Sequence, residues 1–220
     1  KRRLRCRNLG AEPVVEAVDL RGTGVRGLFL TDTQRWTWYE LWEGTRPDLL
    51  ESLNNGMGGQ TRVTYGSSLV EAAADRRKGR PWRWPLPYPV MVVQQVEVTD
   101  VVTGMTVRRR YAYHDGYHDA IEREFRGFAR VEEWDAEGGT RSRTVRFFDV
   151  GNGERPIQEY VPVPIVLPED QVSNHRGARR ALRGQLVREE LFGEDANPEE
   201  NHPYAVTLHG YTASPVLGPP

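Results

Sequence analysis

The strongest constraint on the fold is a pair of alternating segments on either side of residue 103. Residues 90–100 and 105–113 both carry apolar or aromatic side chains at alternate positions, interrupted by Gln94 and Arg109. Thr103 and Gly104 lie between them and are typical of a tight turn. A period of two residues places alternate side chains on opposite faces of a β-strand. The sequence therefore predicts a long hairpin, Val90–Asp100 with Met105–Tyr113, as the spine of an antiparallel sheet.

Shorter segments with the same character predict further strands along the chain. Glycine-rich stretches separate several of them, and Gly22 and Gly24 are expected to adopt positive φ in a turn after residue 18. Residues 54–59 are typical of a hairpin turn. The predicted strands are Val14–Val18, Leu28–Leu30, Leu49–Leu53, Gln60–Tyr65, Phe128–Asp135, Arg143–Val150 and Tyr204–Tyr211.

One segment is predicted to form a helix. Residues 176–190 place Leu182 and Leu186 four residues apart, which puts both on one helical face. Residues 70–80 are polar and predict a loop with one helical turn at Glu71–Asp75. The sequence thus predicts a mainly β protein with one short helix.

The segment Arg80–Pro89 contains four prolines in ten residues, which excludes a helix. A free proline-rich segment could serve as a ligand of SH3 domains. However, Trp82, Trp84 and Tyr88 are interleaved with the prolines and favour a segment that packs against a sheet.

Composition excludes several classes of protein. Thirty basic and 31 acidic residues leave a net charge of -1, which argues against a general nucleic-acid-binding protein. No stretch is long and apolar enough for a transmembrane helix. The basic segment Lys1–Arg7 is not followed by an apolar run, so it is not a signal peptide. A single cysteine, Cys6, rules out an internal disulfide and a cysteine-based metal site.

Two polar motifs could bind a metal ion. His114 and His118 are four residues apart, but Gly116 and the preceding strand disfavour the helix that would let them chelate together. We expect a polar turn instead, in which Asp115 and Asp119 accept hydrogen bonds from nearby amides. The turn Asp19–Gly24 superficially resembles a calcium loop, yet it contains an arginine and too few oxygen ligands. The sequence predicts neither a metal nor a cofactor.

The segment Glu122–Phe128 contains two glutamates, two arginines and two phenylalanines. Paired carboxylates can perform acid–base chemistry, but Arg123 and Arg126 are within reach of both. We therefore predict an architectural clamp, with Phe125 and Phe128 buried and an arginine paired to a carboxylate or a backbone carbonyl. The serines lack a nucleophile motif, so no catalytic residue is predicted.

The tryptophans allow an alternative function. Exposed aromatic rings can form a platform for sugars, and Trp36, Trp38, Trp82 and Trp84 could supply one in a carbohydrate- or surface-binding β module. Such clusters more often belong to a core or an interdomain contact.

The run Tyr111–Phe128, Y-A-Y-H-D-G-Y-H-D-A-I-E-R-E-F-R-G-F, resembles a signature of the B component of bacterial insecticidal toxin complexes, the TcdB-like family. Further blocks in the same order are similar to that family: Asn54–Tyr65, Gly79–Trp82, Leu86–Val90, Ala181–Glu190 and His202–Val206. Asp115, His118, Ala120 and Ala129 depart from the family's pattern, which has a histidine, an aromatic residue and two glycines there.

This resemblance implies a hollow β-shell of the Rhs/YD type, built of antiparallel hairpins and preceded by the last blade of a β-propeller, in a protein that also has an SpvB-like region. It implies residues 1–45 as the propeller end, 46–135 as the middle region that starts the shell, and 136–220 as the following region. The structural motif that it implies consists of Tyr113, His114, Gly116, Tyr117, Asp119, Glu122, Arg123, Glu124, Phe125, Arg126, Gly127 and Phe128.

The resemblance also implies a function. The chain is expected to be a non-enzymatic segment of a secreted toxin assembly that is made in the bacterial cytoplasm and encloses a toxic cargo. Its partners would be the C component, which closes the shell, and the pore-forming A component, reached through the propeller, with no direct insertion into a membrane. Another Rhs/YD-repeat protein with a different cargo is an alternative. The start at Lys1 and the end at Pro220 indicate a fragment.

Overall fold

The computed structural model describes residues 14–31, 36–42, 46–135, 142–154, 175–193 and 201–211. These residues form eleven strands and two helices. The strands are β1 (Val14–Val18), β2 (Gly27–Thr31), β3 (Trp36–Tyr39), β4 (Ser52–Asn54), β5 (Gly59–Ser67), β6 (Met91–Asp100), β7 (Thr106–Asp119), β8 (Glu124–Asp135), β9 (Ser142–Asp149), β10 (Gln185–Gly193) and β11 (Ala205–Leu208). The helices are α1 (Ser68–Arg77) and α2 (His175–Ala181).

The strands form two antiparallel sheets. One has three strands in the order β1-β2-β3, and the other has eight in the order β11-β10-β9-β8-β7-β6-β5-β4. Within each sheet every strand pairs with its neighbour in the sequence. The prediction of a mainly β protein built of antiparallel hairpins is therefore confirmed.

The hairpin predicted as the spine lies at the centre of the large sheet. Strands β6 and β7 pair with Val98 opposite Val107, and Gly104 adopts a φ of 73° in the turn. Asp100 organises this turn, because its carboxylate accepts hydrogen bonds from the Val102 amide at 2.9 Å and the Thr103 hydroxyl at 2.8 Å. The glycine turn after β1 is also confirmed, with positive φ at Gly22 and Gly24.

The prediction at residues 70–80 is wrong in part: the helical turn expected at Glu71–Asp75 lies within α1, but the helix extends over ten residues, Ser68–Arg77, where a loop was predicted on either side of that turn. Ser67 caps the helix by accepting a hydrogen bond from the Leu69 amide at 3.3 Å. Consecutive alanines at positions 72–74 favour the helical backbone. The helix has almost no amphipathic pattern, so hydrophobic periodicity could not reveal it.

The predicted helix at Arg176–Glu190 is wrong in its second half. Helix α2 ends at Ala181, Gly184 adopts a φ of 76°, and β10 begins at Gln185. Strand pairing with β9 overrides the spacing of the leucines, since Leu186 faces Phe148 across the sheet. The chain thus has two short helices in its described part where one was predicted.

Two predicted turn regions also differ. The polar turn expected at residues 114–119 is wrong, because these residues continue β7, and the turn lies at residues 120–123 instead. The strand predicted at Leu49–Leu53 is shorter and shifted to Ser52–Asn54. The hairpin turn that follows it is confirmed, with Asn55 accepting bonds from two amides at 2.8 Å.

The proline-rich segment lies on the large sheet, as its aromatic residues predicted. The Trp82 ring contacts Phe128 at 5.9 Å between centroids, Trp84 contacts Tyr117 at 5.2 Å, and Tyr88 contacts His118 at 5.3 Å. Together the three rings form a layer, the proline-rich layer, that covers β7 and β8. Gly116 lies beneath it and leaves room for the rings.

Replacing Gly116 by valine should detach this layer. A Cβ atom at Gly116 would lie 2.9 Å from Leu86 Cδ1 and 3.1 Å from Phe128 Cε1, so the substitution overpacks the contact. We expect Gly116→Val to lower the free energy of unfolding by about 1–3 kcal/mol, measured by chemical denaturation. Gly193→Val is the control, because only a Tyr204 atom at 3.8 Å faces that Cβ position. Equal effects of both substitutions would contradict the prediction.

Candidate functional site

The motif that carries the resemblance spans the end of β7, the turn at 120–123 and the start of β8. Two groups of buried charged residues lie along it. We call Asp75, His114 and Glu132 the histidine cluster, and Asp119 with Arg126 the arginine clamp.

The histidine cluster joins α1 to the large sheet. His114 on β7 is buried, and its Nδ1 lies 2.5 Å from Oδ2 of Asp75 near the end of α1. The same carboxylate oxygen accepts a hydrogen bond from Trp82 Nε1 at 2.8 Å. On the other side of the ring, His114 Nε2 lies 3.3 Å from Glu132 Oε1, although without good hydrogen-bond geometry. The Asp75 carboxylate therefore connects α1 to strand β7 and to the proline-rich segment.

Glu132 is ionised within this cluster despite its burial. Burial alone raises its pKa, but the contact with His114 and the charges of Arg130 and Arg143 outweigh burial and lower the pKa to about 2. Arg130 and Arg143 each lie 3.5 Å from the carboxylate. The carboxylate on β8 thus pairs with arginines from two strands, Arg130 on β8 and Arg143 on β9.

The arginine clamp closes the end of the β7–β8 hairpin. The Arg126 side chain is only 1% exposed, and its Nη2 lies 3.0 Å from Asp119 Oδ2. Its Nη1 donates a hydrogen bond of 2.8 Å to the carbonyl of Gly151, in the loop after β9. Asp119 also accepts hydrogen bonds from the amides of Ile121 at 2.9 Å and Glu122 at 3.0 Å. The clamp therefore holds the turn and a neighbouring loop together.

An outer layer of ion pairs connects the residues beside the clamp to α2 and to the turn that follows it. Glu124 pairs with Arg183, and Arg180 lies 3.9 Å from Glu124 and 4.0 Å from Glu122. Arg180 is 56% exposed, so its pairs contribute little to stability. These ion pairs lie closer to the surface than the buried clamp.

The predictions for the segment Glu122–Phe128 are confirmed in part. Arg126 pairs with a carboxylate and a backbone carbonyl, as expected. Phe125 and Phe128 are half-buried where burial was predicted, and their rings meet at 5.2 Å. Arg123 lies in the exposed turn with a φ of 54°.

The expected role of the aspartates is confirmed for one of them. Asp119 bonds local amides, but Asp115 accepts its hydrogen bond from the Arg83 amide, 32 residues away, at 2.9 Å. The backbone of Asp115 adopts a positive φ of 52°. Asp115 therefore holds the proline-rich segment on β7, a role that the local sequence could not show.

Tyr113, Gly127 and Phe128 are further residues of the motif. Tyr113 contacts Phe128 at 4.9 Å between ring centroids, and burial raises the pKa of Tyr113 to about 12. Gly127 adopts a φ of 103°, which a residue with a side chain rarely tolerates.

Sequence reasoning missed Asp75 and Glu132. Asp75 lies 39 residues before His114, in a helix of which only one turn was predicted. Glu132 lies in a predicted strand whose charges carried no recognisable motif. Among the described residues, no group of three or more histidine, cysteine or acidic side chains is arranged to hold a metal ion. The charged side chains of the histidine cluster and the arginine clamp pair with one another or with neighbouring arginines, which favours a structural role over a catalytic one.

The tryptophans lie on separate elements. Trp36 and Trp38 belong to β3 of the small sheet, and Trp36 is 68% exposed. Trp82 and Trp84 are half-buried and hold the proline-rich layer. No helix in the described part of the chain is long and apolar enough to cross a membrane.

Comparison with known families defines the class of protein. Residues 8–150 match the insecticide toxin TcdB middle/N-terminal region, and residues 177–213 match the insecticide toxin TcdB middle/C-terminal region. The chain therefore belongs to the insecticide toxin TcdB family, as the sequence motifs indicated. A comparison with curated proteins gave no significant match.

Solved structures agree with this assignment. The chain is similar to the crystal structure of TcdB2-TccC3, with 27% identity and a TM-score of 0.68. It is also similar to the Photorhabdus luminescens Tc holotoxin pore, with 28% identity and a TM-score of 0.73. Each match covers 89% of this chain and 11% of the matched chain. The chain thus spans a small part of the length of these relatives.

Removing the arginine of the clamp should destabilise the fold strongly. Arg126→Ala leaves the buried Asp119 carboxylate without its cation, so we expect a loss of about 3–5 kcal/mol in the free energy of unfolding. Arg180→Ala is the matched control, because that side chain is exposed and should contribute at most about 1 kcal/mol. Chemical denaturation of both variants measures the difference. A loss in Arg126→Ala no larger than in the control would contradict a structural clamp.

The free energy of unfolding should depend on pH through Glu132 of the histidine cluster. The folded-state pKa of Glu132, about 2, lies below its ordinary value of 4.5. Ionised Glu132 therefore contributes stability that is fully present above pH 4.5 and is lost as the pH falls through 2. We expect the stability difference between the wild type and Glu132→Gln to shrink over this interval. Denaturation curves at several pH values test this, and a difference that stays constant would contradict it.

Proposed function

We propose that the chain is a non-enzymatic structural segment of a toxin-complex B component, which helps to build a hollow β-shell around a toxic cargo. The observation that carries the proposal is the eight-stranded antiparallel sheet, which matches solved Tc toxin assemblies over most of the chain. Its buried charged residues pair with one another within the sheet and with α1, which supports a structural role.

The two edges of the large sheet support extension into a larger wall. Strands β4 and β11 are the edge strands, and all their residues are exposed. Leu53 on β4 and Leu208 on β11 are 58% and 64% exposed. Open edges with apolar side chains invite pairing with another strand. In the complete protein we propose that neighbouring strands cover both edges.

We propose the three-part division that the family resemblance implied. The small sheet, from β1 to β3, would be the end of a β-propeller within residues 1–45. The large sheet would comprise the middle region 46–135 and the following region 136–220, which join where β8 pairs with β9. The separate hydrogen bonding of the two sheets supports the first boundary.

The proposed partners follow from the assembly. The C component would close the shell and supply the cargo, and the pore-forming A component would dock through the propeller. We propose that the assembly is made in the bacterial cytoplasm and acts outside the cell, without inserting this segment into a membrane. The match to a structure of TcdB2 together with TccC3 supports the first partner.

A protection experiment tests the proposal. A full-length TcdB-family protein that carries this segment is produced with its C component, and the complex is treated with a protease. We expect the toxic segment of the C component to resist digestion in the complex and to be digested without the B component. In the double variant Leu53→Asp/Leu208→Asp, charged side chains replace apolar ones at both sheet edges, so protection should fall because buried unpaired charges are costly.

The control for the edge variants is Gln60→Asp, an exposed polar position on β5. It should leave protection unchanged. Digestion of the cargo in the wild-type complex would contradict the proposal. Binding of sugars that is abolished by Trp36→Ala, without any effect on the cargo, would favour the alternative of a carbohydrate-binding module.

A further inference from the structure

We propose that the C-terminal end of α1 carries a binding surface for an acidic segment of a protein partner. The surface consists of Arg76, Arg77, Lys78 and Arg80, which we call the basic cluster. All four side chains are exposed. Within the described part of the chain, none of them forms an ion pair with a carboxylate.

The basic cluster differs from several arginines of the large sheet. Arg108 lies 2.5 Å from Glu97, and Arg146 lies 2.6 Å from both Glu133 and Glu189. Carboxylates of the same sheet neutralise these two arginines, whereas no carboxylate in the described part of the chain pairs with the four cations at the end of α1.

The carboxylates of α1 are engaged elsewhere. Asp75 is buried and binds His114 and Trp82. Glu71 accepts a hydrogen bond from Gln94 Nε2 at 3.0 Å on the adjacent strand. Neither acidic side chain of the helix is thus available to neutralise the basic cluster.

The helix end offsets only a small part of this charge. The C-terminus of a helix carries the equivalent of about half a negative charge, and Arg76 and Arg77 lie in the last turn. Two cations would be sufficient to complement the helix dipole, and four leave a clear positive excess. A role in helix stability therefore accounts for only part of the cluster.

The backbone presents the cations in a fixed arrangement. The amide of Lys78 donates to the Ala74 carbonyl at 3.2 Å, and the amide of Arg80 donates to the Asp75 carbonyl at 2.9 Å. The Asp75 side chain anchors the same turn to β7 through His114. Because the turn is already ordered, a partner would lose less conformational entropy on binding.

The chemistry of the cluster favours carboxylates of a protein. Three of its four cations are arginines, which bind carboxylates through two parallel hydrogen bonds. Nucleic-acid binding proteins commonly make about 6–10 phosphate contacts, more than four side chains provide. A lipid surface would favour adjacent exposed apolar groups, and residues 76–83 include no exposed large hydrophobic side chain.

A binding assay with defined probes tests the inference. A fluorescent polyglutamate peptide is titrated with the complete 220-residue chain at low and at physiological ionic strength. We expect measurable affinity that falls as salt rises. The double variant Arg76→Gln/Arg77→Gln should weaken binding roughly 2- to 30-fold, the range for two exposed ion pairs. The control Arg62→Gln/Arg110→Gln removes the same charge from exposed positions on the sheet and should weaken it less.

Three results would overturn the inference. The first is the absence of peptide binding at low ionic strength, and the second is an equal loss in the control double variant. The third is tighter binding to vesicles that contain phosphatidylserine, or to single-stranded DNA, than to polyglutamate. Circular dichroism of both double variants shows whether each retains the wild-type fold, so that a loss of affinity is attributed to charge.

Discussion

The contact between His114 and Asp75 is the interaction on which the rest of the structure depends. It is the point at which α1, β7 and the proline-rich segment meet, because Trp82 binds the same carboxylate. The large sheet has little apolar core of its own, with few buried hydrophobic side chains. Buried polar contacts with matched partners therefore fix the position of the covering layer, where hydrophobic packing alone would allow several arrangements.

The arginine clamp is a second set of buried polar contacts, at the other end of the hairpin. Arg126 is almost completely buried, and its guanidinium forms an ion pair with Asp119 and donates a hydrogen bond to the carbonyl of Gly151. The residues between the clamp and the histidine cluster include Gly116, Tyr117, Gly127 and Phe128. The segment that resembles a TcdB signature is thus a structural unit, with charges at both ends and rings between them.

The sequence allowed the central hairpin to be predicted because period-two alternation and a glycine turn are both local. It allowed only one turn of α1 to be predicted, because that helix owes its place to a Ser67 cap and to Asp75, whose partner lies 39 residues away. The helix predicted through Leu186 failed for a related reason. Its leucine spacing suits a helix, but pairing with β9 decides the conformation, and pairing is not visible in a local window.

The connectivity of the large sheet has a consequence for biosynthesis. Each strand pairs with the strand before it in the sequence, from β4 to β11. A strand that leaves the ribosome therefore finds its partner already in place, and the sheet can grow in the order of translation. Cross-links such as those of Asp75 and Arg126 must wait for later residues. Growth in the order of translation suits a sheet that lengthens by adding strands at one edge.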